Sequence, residues 1–508
     1  MLPKTTSHHL VRSIILLAVL FAAAAAFLLS LPRAHAAATT FTVNSLGDTD
    51  NGNCDAAPDC TLREAINAAN KNAGADTIDF NVVGSIDLTG PLPDISDDGT
   101  INGPGANVLT VRRDTGGDYR IFNVTSPGAV TFSGLTISNG RLSFASNVTD
   151  GGAGINNASS ATVNVTNCTL SDNSTVFSFQ PFFVGSGGAI LNGQGTLNVT
   201  NSTLSNNSNT GFGGSGGDGG AIANSGTATI TNSILSNNFS RGIGGAIYSN
   251  GSMTVDSSTI SDNSARFAGG IYNAGTLDIT QSTLSNNITS DNGGGVANAN
   301  ILTVTNSTLS GNSANQGGGI SNFATANITS STLSNNSAST NGGGVENSGS
   351  IKIDSSIVAL NTAPAGPNFF GVVTSQGHNA VGDTSGSTFI PAGGDQIGVT
   401  PAQLNLGVLQ NNGGPTQTIA LGTGSVAIDA GDDAILVPPL SLTTDQRGTG
   451  FPRKSGIHVD VGAFELQQPH VGPPRNKDQC KNGGWRVFDT PRKFDNQGDC
   501  IQFVNTGK

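Results

Sequence analysis

The chain has 508 residues, of which 70 are glycine and only 11% are charged. This composition excludes an ordinary helical or α/β globule. It also excludes intrinsic disorder, which requires few apolar residues and a high net charge, because 36% of the chain is apolar and those residues recur at fixed positions. The formal net charge of −12 argues against nucleic acid as a partner, since phosphate is bound by lysine and arginine.

The N-terminus has the features of a secretory signal. Lys4 and Arg12 precede an apolar run over residues 14–29, and Ala34-His35-Ala36 has the small-x-small pattern of a cleavage site. We expect residues 1–36 to be removed, which changes the formal net charge from −12 to −15 because they hold three basic and no acidic residues. The alternative is an uncleaved anchor helix, since the run is just long enough to span a bilayer. The mature chain is therefore expected to be secreted or associated with the cell envelope, without a membrane span.

The five cysteines fit an oxidising compartment. Cys54 with Cys60, and Cys480 with Cys500, form two close pairs that we predict to be disulfides. Neither pair has the spacing of a zinc site with histidine partners, so metal ligation by sulfur is not expected. Cys168 remains, and because serine fills its register in the other repeats, we expect a buried and inert thiol.

A repeat dominates the middle of the chain. Aligned on one aliphatic anchor position, its units are 34, 31, 25, 24, 25, 24 and 25 residues apart. The anchors are Leu170, Leu204, Leu235, Ile260, Leu284, Leu309, Leu333 and Val358. A repeat of this length is typical of a solenoid, in which each unit buries its apolar face only by stacking on its neighbours.

Apolar residues before each anchor alternate with period two, as Leu302 and Val304 do before Leu309. Such alternation indicates strands with one buried face, whereas a helical repeat would need spacings of three and four. Equivalent strands of successive units run in the same direction, so the sheets are expected to be parallel and the winding right-handed. The predicted fold is an all-β right-handed parallel β-helix with a short N-terminal capping helix and a small C-terminal disulfide module.

An asparagine follows every anchor by three residues. An asparagine side chain offers both a donor and an acceptor and tolerates the left-handed backbone of a tight turn, so stacked copies about 4.8 Å apart can form a hydrogen-bonded ladder. The predicted structural ladder consists of Asn173, Asn207, Asn238, Asn263, Asn287, Asn312, Asn336 and Asn361. A second ladder is expected two residues after the aliphatic that ends each glycine-rich segment. Its members are Asn157, Asn192, Asn224, Asn273, Asn298, Asn322 and Asn347, and in one coil Ser249 replaces the asparagine.

The stretch before the repeats is expected to cap the solenoid. Thr61 and Glu64 form a capping-box pattern at the start of a short amphipathic helix. Just upstream, Asp48, Asp50 and Asp55 belong to an oxygen-rich loop that would suit calcium, the one cofactor that the sequence indicates. The alternative is a solvated turn braced by the predicted Cys54–Cys60 disulfide.

Insertions that carry phenylalanine interrupt the period of the first coils at one corner. Because stacked coils would bring these loops together, they are a candidate binding surface for a glycan or a cell-surface protein. Its candidate residues are Phe177, Phe179, Phe182, Phe183 and Phe212. The alternative is that these side chains fold back on the solenoid.

The chain beyond the repeats holds a charged set and a separate tail. Asp429, Asp445, Arg447, Arg453, Asp460 and Glu465 are expected to form ion pairs that close the last coils. The predicted divisions are the signal (1–36), the cap and first coils (37–125), the repeats (126–366), the final coils (367–466), a linker (467–479) and a disulfide-closed module (480–508).

The sequence offers no convincing set of catalytic residues. Asp256 and Asp354 share a register but lie four coils apart, or about 19 Å, whereas the carboxylates of a glycosidase lie within about 10 Å of each other. His378 is a lone histidine and is expected to occupy a turn. We therefore expect a non-catalytic adhesive or structural protein. The alternative is a polysaccharide lyase or glycoside hydrolase of the pectin-lyase-like type.

Three segments resemble known families. Residues 60–66, Cys-Thr-Leu-Arg-Glu-Ala-Ile, resemble the CSLREA motif of exported bacterial β-helix proteins, with threonine in place of serine. The segments at 411–418, 427–431, 444–448 and 460–465 resemble the choice-of-anchor Q domain, and the repeats are similar to those of chlamydial polymorphic outer-membrane proteins. The resemblance implies a secreted or envelope-associated β-helix, mostly without a demonstrated biochemical activity. A surface-anchoring motif is expected beside such a domain, but no sortase-type motif follows Glu465.

Overall fold

The computed structural model describes residues 38–52, 54, 59–144, 151–177, 186–210, 218–467, 473–481, 485, 488 and 494–507. The strands of these residues form parallel sheets of 23, 13 and 8 strands, here named sheets 1, 2 and 3, and one antiparallel pair. The prediction of a parallel β-helix is therefore confirmed. The predicted signal, residues 1–36, lies outside the described residues.

Sheet 1 contains a long and a short strand from most coils. Its long strands are Thr40–Val43, Asp76–Phe80, Gly99–Asn102, Ala129–Ser133, Thr162–Thr166, Thr196–Thr200, Thr227–Thr231, Ser252–Asp256, Thr276–Thr280, Ile301–Thr305, Thr325–Thr329, Ser350–Asp354, Phe369–Gly377 and Ser387–Ile390. Its short strands are Phe122–Val124, Ile155–Asn157, Ile190–Asn192, Ile222–Asn224, Ile247–Ser249, Ile271–Asn273, Val296–Asn298, Ile320–Asn322 and Val345–Asn347.

The other two sheets complete each coil. Sheet 2 contains Gly84–Leu88, Leu109–Arg113, Thr136–Ser138, Thr169–Ser171, Thr203–Ser205, Ile234–Ser236, Thr259–Ser261, Thr283–Ser285, Thr308–Ser310, Thr332–Ser334, Ile357–Ala359, Ala380–Val381 and Gln396–Ile397. Sheet 3 contains Arg141–Phe144, Ser174–Phe177, Ser208–Asn209, Phe239–Ile243, Ser264–Phe267, Ile288–Thr289, Ser313–Gln316 and Ser337–Asn341. The remaining elements are the antiparallel strands Leu406–Gln410 and Thr418–Leu421, the α-helices Leu62–Lys71, Pro401–Leu404 and Gln497–Thr506, and the 3₁₀ turns Asp433–Leu436 and Lys477–Cys480.

The alternating aliphatics point into the solenoid and fill its core. Leu302, Val304 and Leu309 are fully buried, as are their equivalents in the neighbouring coils. Each Val or Ile side chain stacks on the same position of the next coil, so one apolar column continues along each inner face. Burial of these columns between coils supplies the hydrophobic stabilisation that no single coil could provide.

The structure places all eight ladder asparagines in the core, with their amides joined in one line. Each Nδ2 donates to the Oδ1 of the next asparagine at 2.9–3.1 Å. The Nδ2 of Asn287 also donates to the carbonyl of Ile260 at 2.9 Å, and its Oδ1 accepts from the backbone N–H of Asn263 at 3.1 Å. Asn368 ends the line by accepting from Asn361. These buried amides are thereby satisfied without water.

The left-handed turn lies one residue earlier than the sequence analysis placed it. Asn286, which precedes the ladder residue Asn287, has φ 56° and is exposed. Its equivalents have the same backbone, and in one coil this position is Gly311, with φ 72°. The ladder residue can therefore point inward because its predecessor makes the turn.

Two further ladders brace the corners of the coil. In the second asparagine ladder, Asn298 donates to Asn322, and Asn322 to Asn347, each at 2.7 Å. In a serine column, each backbone N–H donates to the hydroxyl of the next coil at 3.0–3.2 Å. Cys168 is buried in that column, and burial raises the pKa of its thiol to about 11. An unreactive thiol follows, because only the thiolate is a nucleophile.

The helix Leu62–Lys71 begins with the predicted capping box. The N–H of Thr61 donates to Oε2 of Glu64 at 2.8 Å, and the N–H of Glu64 donates to the Thr61 hydroxyl at 3.3 Å. Leu62 and Ile66 join the apolar core of the solenoid. Both predicted disulfides, Cys54–Cys60 and Cys480–Cys500, are present. In the described part of the chain, no helix combines the length and apolarity needed to cross a membrane.

Residues 411–466, here named the strap, fold back along the outer face of sheet 2. Gln446 inserts its amide between two coils, where Nε2 donates to the Thr283 hydroxyl at 2.8 Å and Oε1 accepts from Thr308. Nδ2 of Asn306 donates to the backbone carbonyl of Thr444 at 2.8 Å. The charged residues of this segment therefore lie beside the solenoid, and the closing of its last coils by their ion pairs stays a prediction.

We predict that Asn287→Ala destabilises the chain by about 3 kcal/mol, because it leaves the backbone N–H of Asn263 without its partner in the core, where an orphaned group costs about 1–3 kcal/mol, and removes the amide hydrogen bonds to Asn312 and to the Ile260 carbonyl. The matched control is Asn286→Gly at the adjacent exposed position, where glycine adopts the left-handed backbone and the expected change is below about 1 kcal/mol. Urea unfolding followed by circular dichroism measures both. Equal effects of the two substitutions would contradict a stabilising ladder.

Candidate functional site

The predicted phenylalanine surface lies largely beyond the described residues. Phe177 ends a strand of sheet 3, where its backbone pairs with that of Phe144. Phe179, Phe182, Phe183 and Phe212 lie outside the described residues. The pairing of Phe177 with Phe144 brings the last described residues before two of the insertions together at the end of sheet 3.

The coils that follow carry aromatic side chains at the same end of sheet 3. Tyr248 and Tyr272 occupy the middle of consecutive short strands, with ring centroids 5.6 Å apart and planes inclined by 7°. Phe267 packs edge-on against Tyr272 at 5.6 Å and stacks with Phe323 at 6.2 Å. We name Tyr248, Phe267, Tyr272 and Phe323 the aromatic strip. The strip lies at the end of sheet 3, where Phe267 pairs with Ile243 of the preceding coil.

The side chains of the aromatic strip point outward because their neighbours point inward. Ile271 and Asn273 flank Tyr272 and are fully buried in the core, so the residue between them faces the outside of the sheet. Phe323 is 40% exposed, Phe267 and Tyr272 are partly buried, and Tyr248 is buried at the base of the strip. The strip is thus a shallow apolar surface on a rigid sheet.

Polar groups border this apolar surface. Within the described residues, neither the Tyr248 nor the Tyr272 hydroxyl has a hydrogen-bond partner. Burial, with the nearby charge of Asp218, raises the pKa of Tyr248 to about 12, so its hydroxyl keeps its proton at neutral pH. At the other end of the same column, the Ser321 hydroxyl donates to Oε2 of Glu346 at 2.6 Å. The surface therefore offers aromatic rings with tyrosine hydroxyls beside them, while Ser321 and Glu346 are buried and bonded to each other.

The aspartates of the predicted calcium loop have protein partners. Asp48 forms an ion pair with Arg63 at 2.8 Å and accepts from the backbone N–H of Thr89 at 2.7 Å. Asp50 accepts from Nδ2 of Asn67 at 3.0 Å. Asp55 lies outside the described residues, and among those that are described no three histidine, cysteine or acidic side chains converge as metal ligands. Calcium binding stays a prediction.

Asp256 and Asp354, which share a register, are too far apart to act as a pair on one glycosidic bond. The registers place Asp256 and Asp354 four coils apart in sheet 1. Asp262 occupies a left-handed turn, with φ 57°. His378 also occupies one, with φ 55°, and its Nδ1 lies 3.0 Å from the carbonyl of Ala430. Asp262 and His378 therefore occupy turns, and Asp256 and Asp354 do not form a pair.

The strap encloses a cluster of five charged residues that is buried beside sheet 2. Arg447 pairs with Asp445 at 2.6 Å and lies between the rings of Phe451 and Phe464, 4.0 and 3.8 Å from its guanidinium carbon. The fully buried Arg453 donates to the carbonyls of Asp460 and Gly462, each at 2.7 Å. The other two members are the buried carboxyls of Asp460 and Glu465.

This cluster has three carboxyls and two guanidinium groups, so full ionisation would leave an excess negative charge in the interior. Burial, and then the neighbouring Asp460, raise the pKa of Glu465 to about 8. Burial likewise raises the pKa of Asp460 to about 6. A proton held on Glu465 balances the charge, as the cost of burying unpaired ions requires. The cluster therefore stabilises the strap and leaves no carboxylate open to a substrate.

Comparison of the chain with protein-family models, with curated proteins and with solved structures found no match. The resemblance to the CSLREA and choice-of-anchor Q families therefore stays a prediction. The structure gives the residues of those motifs structural roles: Thr61 and Glu64 cap a helix, and Asp445 and Arg447 form an ion pair in the strap.

We predict that stability decreases as the pH rises from about 4.5 to about 8. The folded-state pKa of Glu465 is raised, so the folded chain binds more protons than the unfolded chain over this range, and its advantage is lost as the pH rises through that pKa. Urea unfolding at several pH values measures the slope, which Glu465→Gln should reduce.

The matched control for this prediction is Asp383→Asn. Asp383 is exposed, and hydrogen bonds from the N–H and hydroxyl of Ser385 lower its pKa, so it stays ionised throughout the range. Its substitution should leave the slope unchanged. A slope that survives in Glu465→Gln would show that the strap cluster does not cause it.

Proposed function

We propose that this chain is a secreted or cell-surface β-helix with a non-catalytic adhesive role, and that it binds glycan along the aromatic strip. The observation that carries the proposal is the grouping of Tyr248, Phe267, Tyr272 and Phe323 on the outer side of neighbouring coils. Aromatic faces pack against the apolar faces of sugar rings, while the tyrosine hydroxyls of the strip can pair with sugar hydroxyls.

The ladders support this role because they hold the binding side chains in place. Tyr272 lies between the fully buried Ile271 and Asn273, and Asn273 donates to Asn298 of the next coil at 2.7 Å. A surface fixed in this way loses little conformational entropy when a ligand binds. The two disulfides also fit an oxidising compartment outside the cytosol.

A non-catalytic role is supported by the uses of the described carboxylates. Asp48 and Asp445 are held in ion pairs, and Asp460 accepts from backbone N–H groups of Asp429 and Leu466. Asp256 and Asp354 stand four coils apart. Glycoside chemistry instead requires two carboxyl groups on opposite sides of one bond.

The test is binding of the full chain to a panel of immobilised glycans, with release of reducing sugar measured in parallel. We predict binding without release. Tyr272→Ala should lower the affinity by about tenfold, or about 1.4 kcal/mol. We expect this variant to fold, because alanine already occupies the same position in other coils, at Ala223 and Ala297.

The matched control is Phe239→Ala, which removes an exposed phenylalanine from sheet 3 outside the strip and should leave the affinity unchanged. An equal loss in both variants would indicate nonspecific apolar binding. Release of reducing ends that a single carboxylate substitution abolishes would instead establish a polysaccharide lyase or hydrolase.

A further inference from the structure

The outer face of sheet 2 is covered along only part of its length. The first residue of each strand forms a column on this face. In three successive coils that residue, Thr283, Thr308 or Thr332, is buried because the strap lies over it. One coil upstream, Thr259 is only partly buried, and the next residue of the column, Ile234, is 47% exposed. The sheet itself continues unchanged across this boundary, because Thr259 pairs with Thr283 in register.

The covered half shows how this face binds polypeptide. Two neighbouring columns of residues make the contacts. The turn column is the residue with left-handed backbone before each strand, such as Gln281 and Asn306, and the strand column is the first residue of the strand, such as Thr283 and Thr308. In the turn column, Gln281 donates to the carbonyl of Asp445 at 2.9 Å, and Asn306 to that of Thr444 at 2.8 Å. Side-chain amides in this column therefore hold the main chain of an extended segment.

The strand column supplies hydroxyl and apolar contacts to the same segment. In the strand column, the Thr332 hydroxyl accepts from the N–H of Ala463 at 3.0 Å. In the turn column of the next coil, the carbonyl of Ser355 accepts from the N–H of Gly462 at 2.8 Å. Gly462 packs against the side chain of Ile357, which is buried beneath the strap. An isoleucine in the strand column thus has a defined use, as an apolar contact for the overlying chain.

The open half repeats these features without an occupant. Asn201 and Asn232 stand in the turn column at the positions of Gln281 and Asn306, with φ 49° and 48°. Both are exposed, and within the described residues neither side chain has a hydrogen-bond partner. Ile234 repeats the position of Ile357 but is exposed rather than covered.

We propose that this open half is a docking surface for an extended segment of a partner protein, which lies along sheet 2 in continuation of the strap. The partner is recognised through its main-chain carbonyls by Asn201 and Asn232, and through a small or apolar residue by Ile234. A polypeptide is favoured as the occupant because the contiguous half of the same face already binds one through the same two columns. The surface is separate from the aromatic strip, so the two proposals can fail independently.

The experiment measures binding of a fluorescent synthetic peptide with the strap sequence 440–450 to the full chain, by fluorescence anisotropy. The test variant combines Asn232→Ser with Ile234→Thr, which gives this coil the residues that the next coil has at Ser257 and Thr259. The fold should be preserved because both columns already accept those residues. We expect the affinity to fall by about tenfold, since an apolar contact and an amide hydrogen bond are lost together.

The matched control is Ile288→Ser, which removes an equally exposed isoleucine from sheet 3, where serine occupies the same position in the neighbouring coils. It should bind the peptide like the unmodified chain. The proposal is overturned if the peptide does not bind. It is also overturned if the double variant binds the peptide unchanged, because the peptide would then have displaced the strap instead of occupying the open half. Self-association that the double variant abolishes would also overturn it, because the occupant would be a second copy.

Discussion

The whole molecule depends on the pairing of buried asparagine amides from coil to coil. An amide placed in an apolar interior costs several kcal/mol unless its donors and acceptor are all satisfied. Within the ladder each asparagine meets that requirement with an identical residue above and below it and with backbone groups, as Asn287 does with Asn263 and Asn312. The ladder therefore fixes the register of the coils, since a shift of one residue would leave a line of amides unpaired in the core.

This constraint explains why so much of the fold could be predicted from the sequence. A ladder needs the same residue at the same position in every coil, so the positions from Asn173 to Asn361 repeat with a period that can be read directly. The same reasoning places Cys168 in the serine column, where it is buried. The turn was assigned one residue too late because asparagine fits both roles: Asn286 makes the turn and Asn287 enters the core.

The strap and the aromatic strip were not predicted, for two different physical reasons. The strap has no repeat, and the residues that receive it, such as Gln281 and Asn306, have the sequence of ordinary surface turns. The charged residues were correctly expected to pair, as Arg447 and Asp445 do, but pairing alone does not specify a position along the solenoid. The aromatic strip follows from the alternation of inward and outward residues, which places Tyr272 outside between Ile271 and Asn273, but only the phenylalanines of the insertions interrupt the repeat and so stand out in the sequence.

The aromatic strip and the open half of sheet 2 are both possible because the packing of the core restricts only the inward positions of each coil. Inward positions are restricted by the ladders and the aliphatic columns, so a change there, such as Cys168 among serines, must preserve packing. Outward positions carry no such restriction. Most of their columns consist of small polar residues, which keep the surface soluble. A large apolar residue can therefore stand in an outward column without disturbing the core. Tyr272 in a column with Ala223 and Ala297, and Ile234 in a column of threonines, are residues of this kind, and for Ile357 the strap shows the use of such a residue directly.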